Sequence, residues 1–468
     1  SAIFKITKDA EIDIDNDLSS NLIEKIEKGL KNRRKGKPVR FVYDREMDAG
    51  LLDYLIRRLN LNQKSNIIPG GRIHNFRHFM DFPDIVKQKS IRKASLTHPE
   101  LSRSLRVTDV VLKKDVMLHF PYHSFNPVID LLRESAMDPD VVSIKITAYR
   151  LAPASKVINA LINAARNGKQ VTVMLEVKAR FDEEANLEWK DVLEQEGITV
   201  LYGIQNMKVH AKICVIKKRE KNKTLQYGFV STGNLHEKTA RVYGDHCLLT
   251  SNRNVMADIN KIFQFLEYPE KGYGPLERCN TLLVSPISMR TGIESLINHE
   301  IKQAKAGKKA AITIKLNSLS DVSLIKKLND AAVAGVTINM IVRGIFCALV
   351  DHKKFNTKPR AISIVDEYLE HARVMIFHNG GNEKVFISSA DWMVRNIDHR
   401  IEAAVPILDK SIQAELQDII HIQLQDNVKA RVLDSDLLNN YVPSGSKKRL
   451  RSQIETYLYL QQKTNTKK

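Results

Sequence analysis

Long apolar runs, paired cysteines and phosphate-binding loops are all missing from this chain of 468 residues, and each absence removes a class of protein. No uninterrupted apolar stretch reaches the roughly 18 residues that a membrane span requires. The opening SAIFKITKDAEIDIDND has no basic segment followed by an apolar one, the pattern of a secretory leader. Docking on a membrane surface stays open. The four cysteines, Cys214, Cys247, Cys279 and Cys347, lie at least 32 positions apart with no CxxC pair, which argues against a zinc site and a disulfide framework and fits a reducing, cytoplasmic setting. Glycine pairs occur in PGGR and NGGN, but neither leads into GK[ST], so neither is a P-loop.

What the chain has in excess is positive charge: 73 Lys and Arg against 54 Asp and Glu, a formal net charge of +19. Such an excess steers polyanions by long-range attraction, whether nucleic acid, anionic lipid or a phosphate polymer. Part of it is solvated surface and the basic tail KKRLRSQIETYLYLQQKTNTKK.

The length suits about three domains. Residues 1–97 mix helix, strand and loop: SSNLIEKIEKGLKNRRKGK and AGLLDYLIRRLNLN have helical periodicity, VRFVY reads as a strand and IIPGGRIHNF as a turn-rich loop. From residue 98 strands and helices alternate, predicting an α/β architecture with mixed sheets flanked by helices. Gly and Pro in KGYGPLERCNTLLVSP mark a boundary, giving domains at 98–277 and 278–468.

Beyond that boundary the pattern repeats. LINAARNGKQVTVMLEVKAR aligns with LNDAAVAGVTINMIVR, MKVHAKICVI with LEHARVMIFH, and FVSTGN with FISSAD. The offsets are 167 at Gly168 and Gly335, 161 at His210 and His371, and 157 at the strand that follows. Loop deletions account for that drift, and two related α/β domains in tandem are expected.

The repeat selects the chemistry. In a strand the i and i+2 side chains share a face, so His210 and Lys212 are expected side by side, as are His371 and Arg373. Thr232 and Asn234, and in the second copy Ser389 and Asp391, supply polar groups able to hold a phosphoryl oxygen. Two such clusters facing across a pseudo-twofold place two imidazoles on opposite sides of one phosphorus, as an in-line displacement needs. Arg150, Arg180 and Arg343 each follow a strand, where a guanidinium fork suits phosphate. Asp182, Glu183 and Glu184 read as the start of a helix rather than a metal site, and Trp189 and Trp392 as packing residues.

With HAK…STGN and HAR…SSAD the chain resembles the phospholipase D superfamily. With HFPYHSFNPVIDLLRESAMDP, EVKARFDEEANLEW, TGNLHEKTARVYGD, RAISIVDEYLEHARV and SSADWMVRNIDHRIE it resembles the type 1 polyphosphate kinases more narrowly. The resemblance implies two tandem phospholipase-D-like domains preceded by part of an α+β head domain, the chain being the C-terminal part of a longer protein. It implies reversible transfer of the ATP γ-phosphate to inorganic polyphosphate, with Mg²⁺ and a phosphohistidine at His210. It makes His371 the second-site histidine near the nucleotide phosphates, with Lys212 and Arg373 beside the two histidines. Tyr243 and Arg343 are then nucleotide contacts, with Asn234 at the phosphate. Arg150 and Arg180 match positions associated with magnesium; a guanidinium cannot ligate a cation, so they are expected to hold the phosphate that Mg²⁺ bridges. The partners implied are ATP or ADP and polyphosphate, with no specific nucleic acid and with a homo-oligomer for the full-length protein. Two other classes stay open on the residues: a phospholipase-D-like phosphodiesterase or nuclease, which normally carries Asp where Lys217 and His378 stand, and a non-catalytic polyanion binder.

Overall fold

A computed structural model describes residues 2–8, 38–61, 66–73, 93–149, 154–176, 183–204, 207–436, 438–445 and 448–466. The chain forms two compact units, Ser1–Lys93 and Ala94–Lys468. In the first, β1 (Phe4–Lys8), β2 (Pro38–Asp44) and β3 (Ile67–Gly70) form a small sheet, β1 antiparallel and β3 parallel to β2. The expected loop at IIPG is thus a strand. It lies at the sheet edge, where Pro69 leaves no ladder bond unmade. The helix Ala49–Arg58 forms as its apolar stripe predicts, capped by the Asp48 carboxylate accepting from the Leu51 amide. The segment SSNLIEKIEKGLKNRRKGK lies outside the described residues.

The second unit is built from two sheets of eight strands. The first contains β4 (Val116–Phe120), β5 (Val141–Ala148), β6 (Gln170–Leu175) and β7 (Thr199–Tyr202). After the two-residue β8 (Lys208–Val209) it continues with β9 (Lys212–Glu220), β10 (Lys223–Ser231) and β11 (Tyr243–Thr250). The second contains β12 (Leu283–Val284), β13 (Ala311–Leu316), β14 (Thr337–Val342) and β15 (Arg360–Ile364). The two-residue β16 (Leu369–Glu370) precedes β17 (Arg373–Phe377) and β18 (Lys384–Ser388). Last come the two-residue β19 (Arg400–Ile401), β20 (Ala403–Pro406) and β21 (Ala430–Val432); β16 belongs to the first sheet, and β8 and β19 form a two-stranded sheet of their own. The order β11-β10-β9-β5-β6-β7 in one sheet is matched by β20-β18-β17-β13-β14-β15 in the other. In each the central strands run parallel, joined through a helix, and the strand after the histidine runs antiparallel. The tandem pair of mixed sheets flanked by helices is therefore present, and the sequence repeat is a structural one.

The packing between the halves explains why they stay together. The helices Arg253–Glu267 and Lys410–Leu424 occupy equivalent places, following β11 and β20. Their buried faces, Val255, Ile259, Ile262 and Phe263 with Ile412, Leu416 and Ile420, join Ile213, Val215, Val230, Ile387 and Val405 in one core drawn from both sheets. A second core under β13 and β14 is capped by the fully buried Trp392. No described helix is long and apolar enough to cross a membrane.

Candidate functional site

Each histidine sits where the chain changes sheets. The run VHAKICVI reads as one strand, but it is broken at His210: β8 pairs in parallel with β19 of the other half, while β9 enters its own sheet. The second copy does the same, β16 pairing with β11 of the first half before β17 enters its own sheet. Backbone bonds fix both breaks. The amides of His210 and Ala211 donate to the Ile401 carbonyl, and those of His371 and Ala372 to the Gly244 carbonyl. The expectation that His and cation share one strand is thereby corrected, although Arg373 still lies beside the His371 ring. Lys212 is buried and its Nζ donates to the His210 carbonyl at 2.5 Å; Arg373 Nη1 donates likewise to the His371 carbonyl at 3.0 Å.

The switch brings each imidazole against a carboxylate from the opposite half. His210 Nδ1 lies 2.9 Å from Glu402 Oε2, and His371 Nδ1 lies 2.9 Å from both oxygens of Asp245. Asp245 and Glu402 are each held in turn. Thr232 Oγ1 donates to Asp245 Oδ1 at 2.6 Å, Ser389 Oγ donates to Glu402 Oε2, and Asn396 Nδ2 donates to Glu402 Oε1 at 3.1 Å. Thr232 and Ser389, expected as phosphate contacts, are thus occupied in orienting carboxylates. Asp391, also expected there, takes Arg373 and the amides of Asn317 and Ser318. Asn234 follows β10, its Oδ1 buried without a hydrogen-bond partner.

The two half-sites differ in what remains free. Arg373 Nη1 lies 3.2 Å from His371 Nε2, and since guanidinium only donates, that nitrogen accepts. Nε2 of His210 has no hydrogen-bond partner among the described residues. Tyr149 stands edge-on to His210 at 4.9 Å between ring centres, and Tyr243 is tilted over His371 at 5.2 Å. Arg343 donates from Nε to Asn317 Oδ1 at 2.6 Å.

Electrostatics favour neutral imidazoles. Burial, reinforced by Lys212 and Arg400, holds His210 well below the ordinary histidine value. Burial also lowers His371, against the opposing pull of Asp245. The carboxylates diverge: burial pushes Glu402 up to about 7 despite Lys212 and Arg400. Asp245 stays below the usual range because His371, Thr232 and Arg373 outweigh its burial. Among the described residues no group of three or more His, Cys, Asp or Glu could hold a metal ion, and Asp245, Glu402 and Asp391 are each engaged by a histidine or arginine. The described residues therefore do not fit a protein-ligated cation. Arg150, Arg180 and Asp182 lie outside the described residues; Glu183 opens the helix Glu183–Gln195.

The polyphosphate kinase middle domain matches residues 1–82, and the polyphosphate kinase C-terminal domains 1 and 2 match residues 106–272 and 282–453. The chain belongs to the polyphosphate kinase family. A polyphosphate kinase of Vibrio cholerae serotype O1 is 45% identical over 459 residues, 97% of this chain and 65% of that protein. One from Escherichia coli K12 is 41% identical over 460 residues, 97% of this chain and 66% of its own length. The crystal structure of polyphosphate kinase from Porphyromonas gingivalis superposes with a TM-score of 0.84 at 37% identity, covering 92% of this chain and 65% of that one. The chain thus spans about 65% of the length of the polyphosphate kinases it matches.

Sequence reasoning missed Asp245 and Glu402. The signal was present: Thr232 to Ser389 and Asp245 to Glu402 share the offset of 157, so the repeat runs eleven residues past Asn234 and Asp391 to a carboxylate in both copies.

Proposed function

We propose that this chain carries the phosphotransfer centre of a polyphosphate kinase, moving the γ-phosphate of ATP reversibly to inorganic polyphosphate through a phosphohistidine at His210. The observation that carries the reading is the difference between the two imidazoles. Glu402 keeps the proton of His210 on Nδ1, which leaves a lone pair on an Nε2 that no described protein group occupies. The corresponding nitrogen of His371 is already accepting from Arg373. His210 Nε2 therefore attacks the γ-phosphorus; its bond to the ADP oxygen breaks, and the electron pair leaves with ADP. An oxygen of the polymer's terminal phosphate then attacks the same phosphorus, and the pair returns to Nε2. Glu402 stabilises the positive charge that the ring gains in between.

His371, Tyr243 and Arg343 form the nucleotide side, the tyrosine ring and the guanidinium offering a face for the nucleoside and a fork for phosphate. Lys212 and Arg373 keep the site positive, and Asn234 lies at the phosphate. Mg²⁺ would arrive with the nucleotide, whose phosphates Arg150 and Arg180 would hold, since the described carboxylates are engaged elsewhere. The reading includes domain limits at 97/98 and 277/278, a homo-oligomer of the longer protein, and a cytoplasmic setting in which the basic excess allows membrane-surface docking.

Incubation with γ-labelled ATP and Mg²⁺ tests it. Acid-labile label is expected on the wild-type chain and none on His210→Ala; label of equal amount on both would sink the assignment. Cleavage of a diester with no labelled protein would point to a phosphodiesterase instead.

A further inference from the structure

Beside His210 stands a cation with no hydrogen-bond acceptor among the described residues. Arg400 Nη1 lies 3.7 Å from Oε1 of Glu402, the carboxylate whose Oε2 meets His210 Nδ1, so the guanidinium stands at the same site. The side chain of Arg400 is 19% exposed, yet its one described contact is a loose ion pair, Nη1 to Glu402 Oε1 at 3.7 Å. That distance is too long for a hydrogen bond. A guanidinium carries five N–H donors, and those of Arg400 are left to water or to a ligand. The neighbouring cations are committed differently: Arg373 to Asp391, the Thr232 carbonyl and His371, and Lys212 to the His210 carbonyl. Arg400 depresses the titration of both His210 and Lys212, so its charge is felt at the reacting ring.

The pseudo-twofold gives the position meaning. Arg400 and Lys208 pair across the halves as Tyr243 and Leu369 do. Both pairs lie two residues before a histidine. Where the His371 half-site presents an aromatic ring, the His210 half-site presents an uncommitted guanidinium. An aromatic suits a nucleoside, whereas a fork of donors suits three phosphoryl oxygens.

We propose that Arg400 is a catalytic residue whose guanidinium holds the oxygens of the phosphoryl group carried on Nε2 of His210. This rests on the phosphotransfer reading above. Because that group is common to transfer from ATP and transfer to polymer, Arg400 serves both half-reactions. It neutralises charge on the equatorial oxygens as the bond to ADP breaks, and again as the bond to nitrogen breaks.

The test compares Arg400→Gln and Arg400→Lys with wild type in rapid-quench measurements. One follows label arriving on protein from γ-labelled MgATP, the other its loss on adding ADP or polyphosphate. For Arg400→Gln both rates are expected to fall by about 100-fold or more, as for loss of a transition-state donor, with half-saturating ATP and polyphosphate little changed. Arg400→Lys keeps the cation and the strand pairing but not the fork, and a loss of about tenfold is expected to remain. It also covers the case in which the glutamine variant does not fold. Wild-type rates in either variant, or an effect confined to the half-saturating concentration of one substrate, would overturn the assignment. A wild-type chain that takes no label sinks the phosphohistidine reading and the Arg400 role with it; a labelled wild type with unaltered variants sinks the Arg400 role alone.

Discussion

Glu402→Gln is the substitution that most directly probes the arrangement around His210. It preserves volume at a fully buried position and removes only the charge and one acceptor. The amide can sit in two ways, and both fail. With its oxygen toward His210 Nδ1, its NH₂ replaces Oε1 and meets the Asn396 amide donor, 3.1 Å from that site, and the Arg400 guanidinium at 3.7 Å. A buried donor facing donors costs about 1–3 kcal/mol. With its NH₂ toward His210, Nδ1 must accept, the ring proton moves to Nε2, and the attacking lone pair is lost. Either way the charge that stabilises the phosphorylated ring is gone. Acid-to-amide change at a histidine-orienting carboxylate slows a reaction by up to about 10⁴-fold. With wild-type chemistry as reference, about 10³-fold is expected here, or ~4 kcal/mol. The assay is the rate of label transfer from γ-labelled MgATP at pH 8, with His210→Ala as the floor and thermal unfolding as the check on folding. A folded Glu402→Gln protein labelling within threefold of wild type would refute the idea that this carboxylate selects the reactive nitrogen.

Two further outcomes follow from the same geometry. Burial raises Glu402 to about 7, so its protonated form persists nearly to neutrality. Below that pH the carboxyl donates rather than accepts, and Nε2 carries the ring proton. Labelling should therefore rise as pH increases through about 7, and Glu402→Gln should lose that rise; a wild-type profile flat from pH 6 to 8 would contradict it. At Gly233 a methyl group would lie 2.1 Å from Asp245 Oδ2, on the carboxylate that holds His371. Gly233→Ala should destabilise the chain by about 1–3 kcal/mol, read as a lower urea midpoint, and slow labelling as Asp245 is displaced; unchanged stability and rate would show that the carboxylate is free to move.

The architecture was legible because the repeat preserves what a sheet requires. Gly168 and Gly335 both follow a helix with positive φ, and the strands after them are exposed at the first residue and mostly buried from there on. The histidines were legible for the same reason. Their partners were not, because each copy was read as a self-contained cluster. Thr232 and Ser389 look like phosphate ligands until Asp245 and Glu402 are seen beneath their hydroxyls. The strand break at His210 was hidden as well. VHAKICVI is apolar on both sides of the break, and a two-residue strand such as β8 carries no periodicity of its own. Only pairing with β19 in the other half reveals it. IIPG was read as a loop because Pro and Gly dominate local signals, whereas edge position, which tolerates Pro, is a tertiary fact.

The exchange of carboxylates between halves has a consequence that neither sheet would have alone. A histidine oriented from its own domain would keep its tautomer whatever the neighbouring domain did. Here the proton of His210 is placed by Glu402, which reaches it through β19 and β8, and the proton of His371 by Asp245, through β11 and β16. Each pairing also aims the ring, through amides donating to Ile401 or Gly244. Both tautomers therefore depend on the seam between the halves, and a separation that loosened it would release the two imidazoles together. The shared core of the helices Arg253–Glu267 and Lys410–Leu424 resists such separation, burying apolar side chains from both sheets. Packing remote from the two imidazoles thus sets which nitrogen of each carries the proton.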